Sequence, residues 1–233
     1  MSYNNGPRIV TDQLIYCVDA ANVKSYPGSG NTVTDLSKVQ GVSTFYAGIS
    51  AAYDPTRFES DALAITDRMY ITHSTISFAD AEAYSWDYWI KLSSGAEQTY
   101  HSLAGSGLSN RWVILYLASA SGASWQLRYR DSTSTYYNSP SVTTHNIKNN
   151  WAHACFTISA ARLLTFYVNG IGIGTGNLTT SSFYLTRLMG GYTSGSNYYP
   201  LQGSMAQAKY YRKELSASEV LQNFNATRGR FGI

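Results

Sequence analysis

The sequence predicts an all-β protein, a jelly-roll sandwich of two packed antiparallel sheets closed by one short C-terminal α-helix. Short runs rich in Tyr, Thr, Ile, Val and Trp recur between clusters of Ser, Gly, Asn and Asp, the pattern of a sandwich or barrel rather than of alternating strands and helices. Eleven such runs fall within 233 residues that no Pro-rich or charged linker divides, so residues 1–233 read as one domain, and that many strands need two sheets. With 20 Tyr, 8 Phe, 5 Trp and only 13% charged residues, the chain has the composition of an ordered protein.

Residues 1–12 read as an N-terminal arm. The predicted strands follow in order: QLIYCV (13–18), RMYIT (68–72), AYSWDYWIKL (83–92), TYHSLAG (99–105), RWVILYLA (111–118), SWQLRYRD (124–131), NWAHACFTIS (150–159), LLTFYVN (163–169), IGIGT (171–175), FYLTRLMG (183–190) and GSMAQAKYYRK (203–213). Alternation is clearest where Trp86, Tyr88, Ile90 and Leu92 share one face and Ser85, Asp87, Trp89 and Lys91 the other, an inner strand whose second face still carries one large aromatic. A helix is expected over 216–226: Ser216 and Glu219 have capping-box spacing, Leu215 can staple against Val220, and Val220, Leu221 and Phe224 form one apolar face.

The stretch LLTFYVNGIGIGTG (163–176) places four glycines in seven residues, which raises the question of a phosphate cradle. Spacing excludes a dinucleotide loop, because both possible sixth positions are occupied by Thr175 and Asn177. No Gly-Lys pair exists anywhere, which excludes a P-loop. Asn169-Gly170 between two β-rich runs instead predicts a tight hairpin, since both residues tolerate positive φ. Gly172, Gly174 and Gly176 are expected to leave one face of the return strand bare, with Ile171, Ile173 and Thr175 on the other.

Other chemistry finds little support. A net charge of +3 from 17 basic and 14 acidic residues, without a run of Lys and Arg, gives no nucleic-acid footprint. No window of some 18 apolar residues exists, so no membrane-inserting helix is expected. The N-terminus MSYNNGPRIVTDQ lacks a basic segment followed by an apolar one, so export by a signal peptide is not expected. Cys17 and Cys155 lie in apolar runs and read as buried free thiols, with a single disulfide as the alternative. The nearest paired carboxylates, Glu59 with Asp61 and Asp80 with Glu82, lie in turn-like segments and read as solvated loop groups rather than a glycosidase pair. His73, His101, His145 and His153 form no HExxH pair, and His153, beside Trp151 and Cys155, reads as a structural imidazole. No GxSxG elbow and no DxDxDG loop occurs. No cofactor or metal is expected, although calcium held by backbone carbonyls plus one Asp would leave no readable motif.

What remains are two aromatic-polar loops, DSTSTYYNSP (131–140) and YTSGSNYYPLQG (192–203). Tyr136, Tyr137, Asn138, Tyr192, Asn197, Tyr198 and Tyr199 are the candidate ligand-binding residues, for a glycan or a protein partner. Flat Tyr rings stack on sugar faces while Asn and Ser hydrogen-bond hydroxyls, and the same groups suit protein interfaces. Tyr ends that only pack locally are the plain alternative.

These segments resemble the laminin-G-like branch of the concanavalin A-like lectin/glucanase superfamily. The resemblance rests on YSWDYWIKL, on NWAHACFTISAARLLTFYVNG, which is similar to the family's W-x-H strand and a strand ending in YVNG, and on LQGSMAQAKYYRKELSASEV, and it covers residues 84–224. The family's glucanases carry Glu-x-Asp-x-Glu on the catalytic strand; this sequence has no such motif, so no enzyme activity is implied. Laminin-G modules often bind calcium through an Asp on a loop rim, and the matching loops here are poor in Asp. The opening GPRIVTDQLIYCVDAANVKSYPGSGNTVTDLS and the ending NATRGRFGI resemble lectin-like structural proteins of tailed bacteriophages, particularly those of cyanobacteria and marine bacteria. In those proteins the Asp-Ala-Ala-Asn segment follows the first strand and the terminal helix closes the sandwich.

The resemblance implies a non-enzymatic structural protein of the phage virion, a capsid decoration or part of a fibre or tail appendage, assembled in the host cytoplasm and exposed on the particle. Its partners would be other virion proteins and further copies of itself in a trimer. The alternative is a glycan-binding adhesin that recognises host cell-surface polysaccharide through the Tyr loops.

Overall fold

The computed structural model describes residues 7–39, 41–47, 58–60, 69–92, 103–105, 112–117, 124–130, 136–138, 142–143, 149–179, 182–190 and 201–233. Sixteen strands lie among them: β1 (Leu14–Asp19), β2 (Thr32–Thr34), β3 (Val42–Ala47), β4 (Phe58–Ser60), β5 (Met69–Phe78), β6 (Tyr84–Leu92), β7 (Ala104–Gly105), β8 (Trp112–Leu117), β9 (Ser124–Arg130), β10 (Tyr136–Asn138), β11 (Val142–Thr143), β12 (Ala152–Ile158), β13 (Leu163–Val168), β14 (Ile171–Asn177), β15 (Phe183–Leu188) and β16 (Gly203–Tyr211). Helix α1 (Ala217–Thr227) and a 3-10 turn (Arg228–Phe231) end the chain. All eleven predicted runs contain a strand. β2, β3, β4, β10 and β11 were not foreseen, most of them only two or three residues long. Among the described residues no helix is long and apolar enough to cross a membrane.

One layer of the sandwich is a seven-stranded antiparallel sheet in the order β1-β16-β6-β12-β13-β14, with β4 also pairing β16. The other holds the five strands β2-β3-β5-β15-β7. A four-stranded sheet, β10-β9-β11 with β8 also on β9, lies beside them: β8 is next to β7 and β15, and β11 is next to β14. Between the layers Trp86, Tyr88, Ile90, Phe156 and Phe166 of the larger sheet meet Ile71, Phe78, Phe183, Leu185 and Leu188 of the smaller. Aromatic edges dominate this core, as where Phe183 stands edge-on to Trp86 at 5.5 Å and to Tyr84 at 6.0 Å.

The second face of β6, expected on an inner strand to carry one large aromatic, is buried like the first. Ser85, Asp87 and Trp89 are as buried as Trp86 and Tyr88, because α1 lies across the outer side of the sheet. That helix starts where the sequence signals it. Ser216 accepts from the Glu219 N–H, the Glu219 carboxylate accepts from the Ser216 N–H, and Leu215 packs with Val220. Its inward face carries Val220, Asn223 and Phe224, and the 3-10 turn adds Phe231, which stacks on Trp89 at 3.9 Å. The sheet is thus covered on both sides, a condition that period-2 alternation cannot reveal.

The Asn169-Gly170 bend is the predicted hairpin turn: both residues have positive φ (51° and 80°), and Val168 pairs with Ile171. The predicted glycine face is only partly right. Tyr167 pairs with Gly172 and Phe166 with Gly174, so Ile173 is an extra, bulged residue. Gly172 therefore shares the face of Tyr167, whereas Gly174 and Gly176 lie on the core side opposite Phe166 and Leu164.

Cys17 and Cys155 are both buried and free. They sit in one cross-strand row, Cys17-Lys209-Asp87-Cys155, with two strands between them. Three strand spacings, about 14 Å, are far too long for a disulfide.

Candidate functional site

β10 carries three of the predicted binding residues, and its register with β9 sorts them. Tyr136 lies opposite Arg130, Tyr137 opposite Tyr129, and Asn138 opposite Arg128. β8 pairs with the other side of β9, Trp112 opposite Arg130, Val113 opposite Tyr129 and Ile114 opposite Arg128. The sequence had offered β10 only as a loop; Trp112, Arg128 and Arg130 join its candidates through the register alone. Tyr192, Asn197, Tyr198 and Tyr199 lie outside the described residues.

A pocket of about 200 Å³ opens where β1 meets β3 and β5, lined by Tyr16, Asp35, Ser43, His73 and their neighbours. Its polar groups are already committed to the fold. Asp35 accepts from the Cys17 N–H at 2.8 Å and from the Ser37 N–H and hydroxyl, and Tyr16 shares a hydrogen bond with Ser43 at 2.9 Å. His73 donates from Nδ1 to the Ser74 carbonyl at 2.8 Å, which fixes the other nitrogen, Nε2, as a bare acceptor. Burial lowers the His73 pKa to about 4, so the ring is neutral at pH 7. Nε2 is itself sealed from solvent and has no hydrogen-bond partner among the described residues.

Beneath α1 a second polar cluster has the look of a catalytic array. The Asp87 carboxylate accepts from Lys209 Nζ at 2.7 Å, from His153 Nε2 at 3.1 Å and from Asn223 Nδ2 at 2.9 Å. Burial alone would raise the Asp87 pKa, but the Lys209 ammonium and His153 outweigh it and hold the carboxyl well below the usual range. Lys209 is 1% exposed and Asp87 and His153 are fully buried, so no substrate reaches them. Asn223 spends its whole amide here: Nδ2 also donates to the Tyr211 hydroxyl, and Oδ1 accepts the Val10 N–H at 2.8 Å. The Tyr211 hydroxyl donates in turn to the Val10 carbonyl, so the cluster ties the N-terminal segment and the helix to the sheet. His153 is a structural imidazole, as its neighbours implied. The signal the sequence held was a lone Asp in YSWDYWIKL and a lone Lys in AQAKYY, charges in otherwise apolar strands.

The remaining candidates for chemistry are equally occupied. Burial pushes the Cys17 thiol up to about 12 and Cys155 well above the ordinary value, which leaves both inert. Asp80 pairs with Arg162 at 2.8 Å and Glu82 with Arg212 at 3.1 Å, each half-exposed at the surface. Glu59 lies in β4, and Asp61 lies outside the described residues. Among the described residues no three His, Cys, Asp or Glu side chains gather as a metal site.

Known folds match this architecture. The model of the concanavalin A-like lectin/glucanases superfamily matches residues 66–221, more than half of the chain. No curated protein sequence matches. The binding domain of botulinum neurotoxin serotype D superposes with a TM-score of 0.62 at 12% identity, over 92% of this chain and 52% of that one. The same toxin's ligand-binding domain in complex with N-acetylneuraminic acid gives 0.62 at 13% identity, over 92% and 51%. Domain 4 of AbnA, a GH43 extracellular arabinanase from Geobacillus stearothermophilus, in complex with arabinotriose, gives 0.57 at 16% identity, over 93% of this chain and 100% of that one. The chain spans about half the length of the neurotoxin domains and matches the arabinanase domain whole. At these identities the likeness concerns the fold, and with the family match and the two facing antiparallel sheets it is decisive: the chain belongs to the concanavalin A-like lectin/glucanases superfamily.

Proposed function

We propose that the protein is a non-enzymatic glycan-binding module and that Tyr136 and Asn138 contact the sugar. The observation that carries the reading is the backbone register of β10 with β9, which pairs Tyr136 with Arg130 and Asn138 with Arg128. Rings that stack on the apolar face of a sugar, beside planar amides and guanidinium groups that bond its hydroxyls, are what carbohydrate recognition requires. Two of the matched domains, that of the neurotoxin and that of the arabinanase, hold sugars. The deciding experiment is a glycan array followed by calorimetry. Saturable binding that falls about tenfold in Tyr136→Ala and Asn138→Ala supports the reading. An unchanged affinity in both variants refutes the site, and release of reducing ends from the bound glycan refutes the non-enzymatic role.

A second reading places this module on a tailed-phage particle, as a capsid decoration or a fibre or tail component, trimeric and exposed at the surface. It is favoured by one specific observation: Asp19-Ala20-Ala21-Asn22 begins on the last residue of β1 and the terminal helix closes the sandwich, the arrangement that the resemblance to phage proteins implies. The two readings are compatible, since a surface module can bind host polysaccharide. Mass spectrometry of purified particles tests it. A copy number matching capsid symmetry supports decoration, a few copies per virion support the tail, and absence from particles refutes both.

A further inference from the structure

The cluster beneath α1 serves the fold, but its three central groups are also a nucleophile, an acyl group and a proton carrier. Lys209 on β16 and Asp87 on β6 are register partners, and Asn223 reaches them from α1. One carboxylate bonds both nitrogens: Asp87 Oδ1 accepts from Lys209 Nζ at 2.7 Å and Oδ2 from Asn223 Nδ2 at 2.9 Å. The amine and the amide are thus held on a single group, which replaces a chance encounter by fixed proximity. The Asn223 carbonyl is set up for attack as well. Its Oδ1, where negative charge would develop, accepts the Val10 N–H at 2.8 Å, and Nδ2 also donates to the Tyr211 hydroxyl. Lys209, Asp87, Asn223 and Tyr211 are all buried, so bulk water, the competing nucleophile, does not reach them. Burial penalises each charge of the Lys209-Asp87 pair, and moving one proton along their 2.7 Å hydrogen bond removes both charges.

We propose that Lys209 and Asn223 condense into an intramolecular isopeptide bond, with Asp87 carrying protons between them. The Lys209 ammonium passes a proton to Asp87 and becomes a neutral amine. Its lone pair attacks Asn223 Cγ, forming the N–C bond as the carbonyl electron pair moves onto Oδ1 beside the Val10 N–H. Asp87 takes a second proton from the attacking nitrogen and delivers one to Nδ2. The Cγ–Nδ2 bond then breaks and the C=O bond re-forms. Ammonia leaves, taking the last proton from Asp87 as ammonium and returning the carboxylate to its ionised form. Because Asp87 is held well below the usual carboxylate range, the neutral amine is a minor form and the bond forms slowly. Freshly folded protein carries the ion pair, and aged protein carries the cross-link, which ties β16 to α1. This modification is independent of the glycan-binding reading.

Intact-mass spectrometry of the full chain, kept folded at pH 7 for a week, tests the proposal. The mass should fall by about 17 Da, one ammonia, while protein kept unfolded in guanidinium chloride for the same time retains its full mass. Trypsin should leave one branched peptide joining residues 188–212 to 214–228, since an acylated Lys209 is no longer cleaved. Aged protein should melt about 6–12 °C above fresh protein, because the bond closes the loop 209–223 in the unfolded chain. Lys209→Arg keeps the charge but offers no nucleophile at neutral pH, and should retain its full mass. An unchanged mass in aged, folded wild type overturns the proposal. So does a loss of ammonia that persists in Lys209→Arg or that maps to a succinimide within residues 214–228. A loss of about 18 Da with Lys209 joined to Asp87 overturns the assignment of Asn223 as the acyl group. Should the Arg variant fail to fold, presence or absence of the branched peptide in the wild type decides.

Discussion

Replacing Lys209 by Met should be the most damaging conservative change on the outer side of the large sheet. It removes an ammonium that is 1% exposed and 2.7 Å from the fully buried Asp87. Breaking such a pair from one side costs about 3–5 kcal/mol, because the remaining charge is left buried without compensation. His153 and Asn223 still donate to Asp87 at 3.1 and 2.9 Å, which puts the expected loss at the low end, about 3 kcal/mol. For a domain of this size that lowers Tm by about 6–12 °C. Urea unfolding at pH 7, followed by circular dichroism, should show a lower midpoint with an unchanged slope. The double variant Asp87→Asn/Lys209→Met removes both charges and should regain most of the loss. The pH dependence has a definite sign. The folded Asp87 pKa is depressed, so its contribution is present above the unfolded value of about 4 and is lost as pH falls through the folded value. The gap between wild type and Lys209→Met should therefore narrow below about pH 4. A cost under about 1 kcal/mol at pH 7, or a double variant no better than the single one, would refute an ionised, coupled pair.

Three other perturbations have expected outcomes of similar clarity. His73, lowered from 6.5 to about 4 by burial, stays neutral in the fold while the unfolded ring takes up a proton, so stability is complete above about pH 6.5 and falls by about 3 kcal/mol as pH drops towards 4. Urea titrations at pH 7 and 5 should show that slope in wild type and lose it in His73→Gln; an identical slope in both contradicts the assignment. Gly203→Ala puts a methyl group onto the Lys91 carbonyl and 2.9 Å from Leu92 Cα at a φ of 155°, and should cost more than about 3 kcal/mol, whereas a Tm within about 2 °C of wild type would show that the strands can part there. Asn223→Ala strips the Val10 N–H and Asp87 of a partner, about 2 kcal/mol, and should speed hydrogen exchange at Val10 ahead of the β6 core; equal protection would show that the arm is held by other means.

The fold was legible because its strongest signals are local. Asn169-Gly170, the Ser216/Glu219 capping box and the alternation of Trp86, Tyr88 and Ile90 each depend on residues close in sequence, and all three appear where expected. What was hidden depends on partners far away. Nothing near Asp87 in the sequence announces that Asn223, at a separation of 136 residues, closes over it. The bulge at Ile173, which moves Gly172 to the opposite face from Gly174, is set by pairing with β13 and not by the glycines themselves. The same limit applied to the site: the loop DSTSTYYNSP displayed its Tyr and Asn residues, but only strand register sets Tyr136 and Asn138 beside Arg130 and Arg128.

Glycan binding at that face is most directly tested by titrating a sugar identified on the array into isotopically labelled protein and mapping the amide shifts by NMR. Binding at the β8-β9-β10 face predicts shifts concentrated at Trp112, Arg128, Arg130, Tyr136 and Asn138, saturating together with the calorimetric isotherm. Shifts confined to the pocket around Tyr16 and His73, or none at saturating sugar, would contradict it.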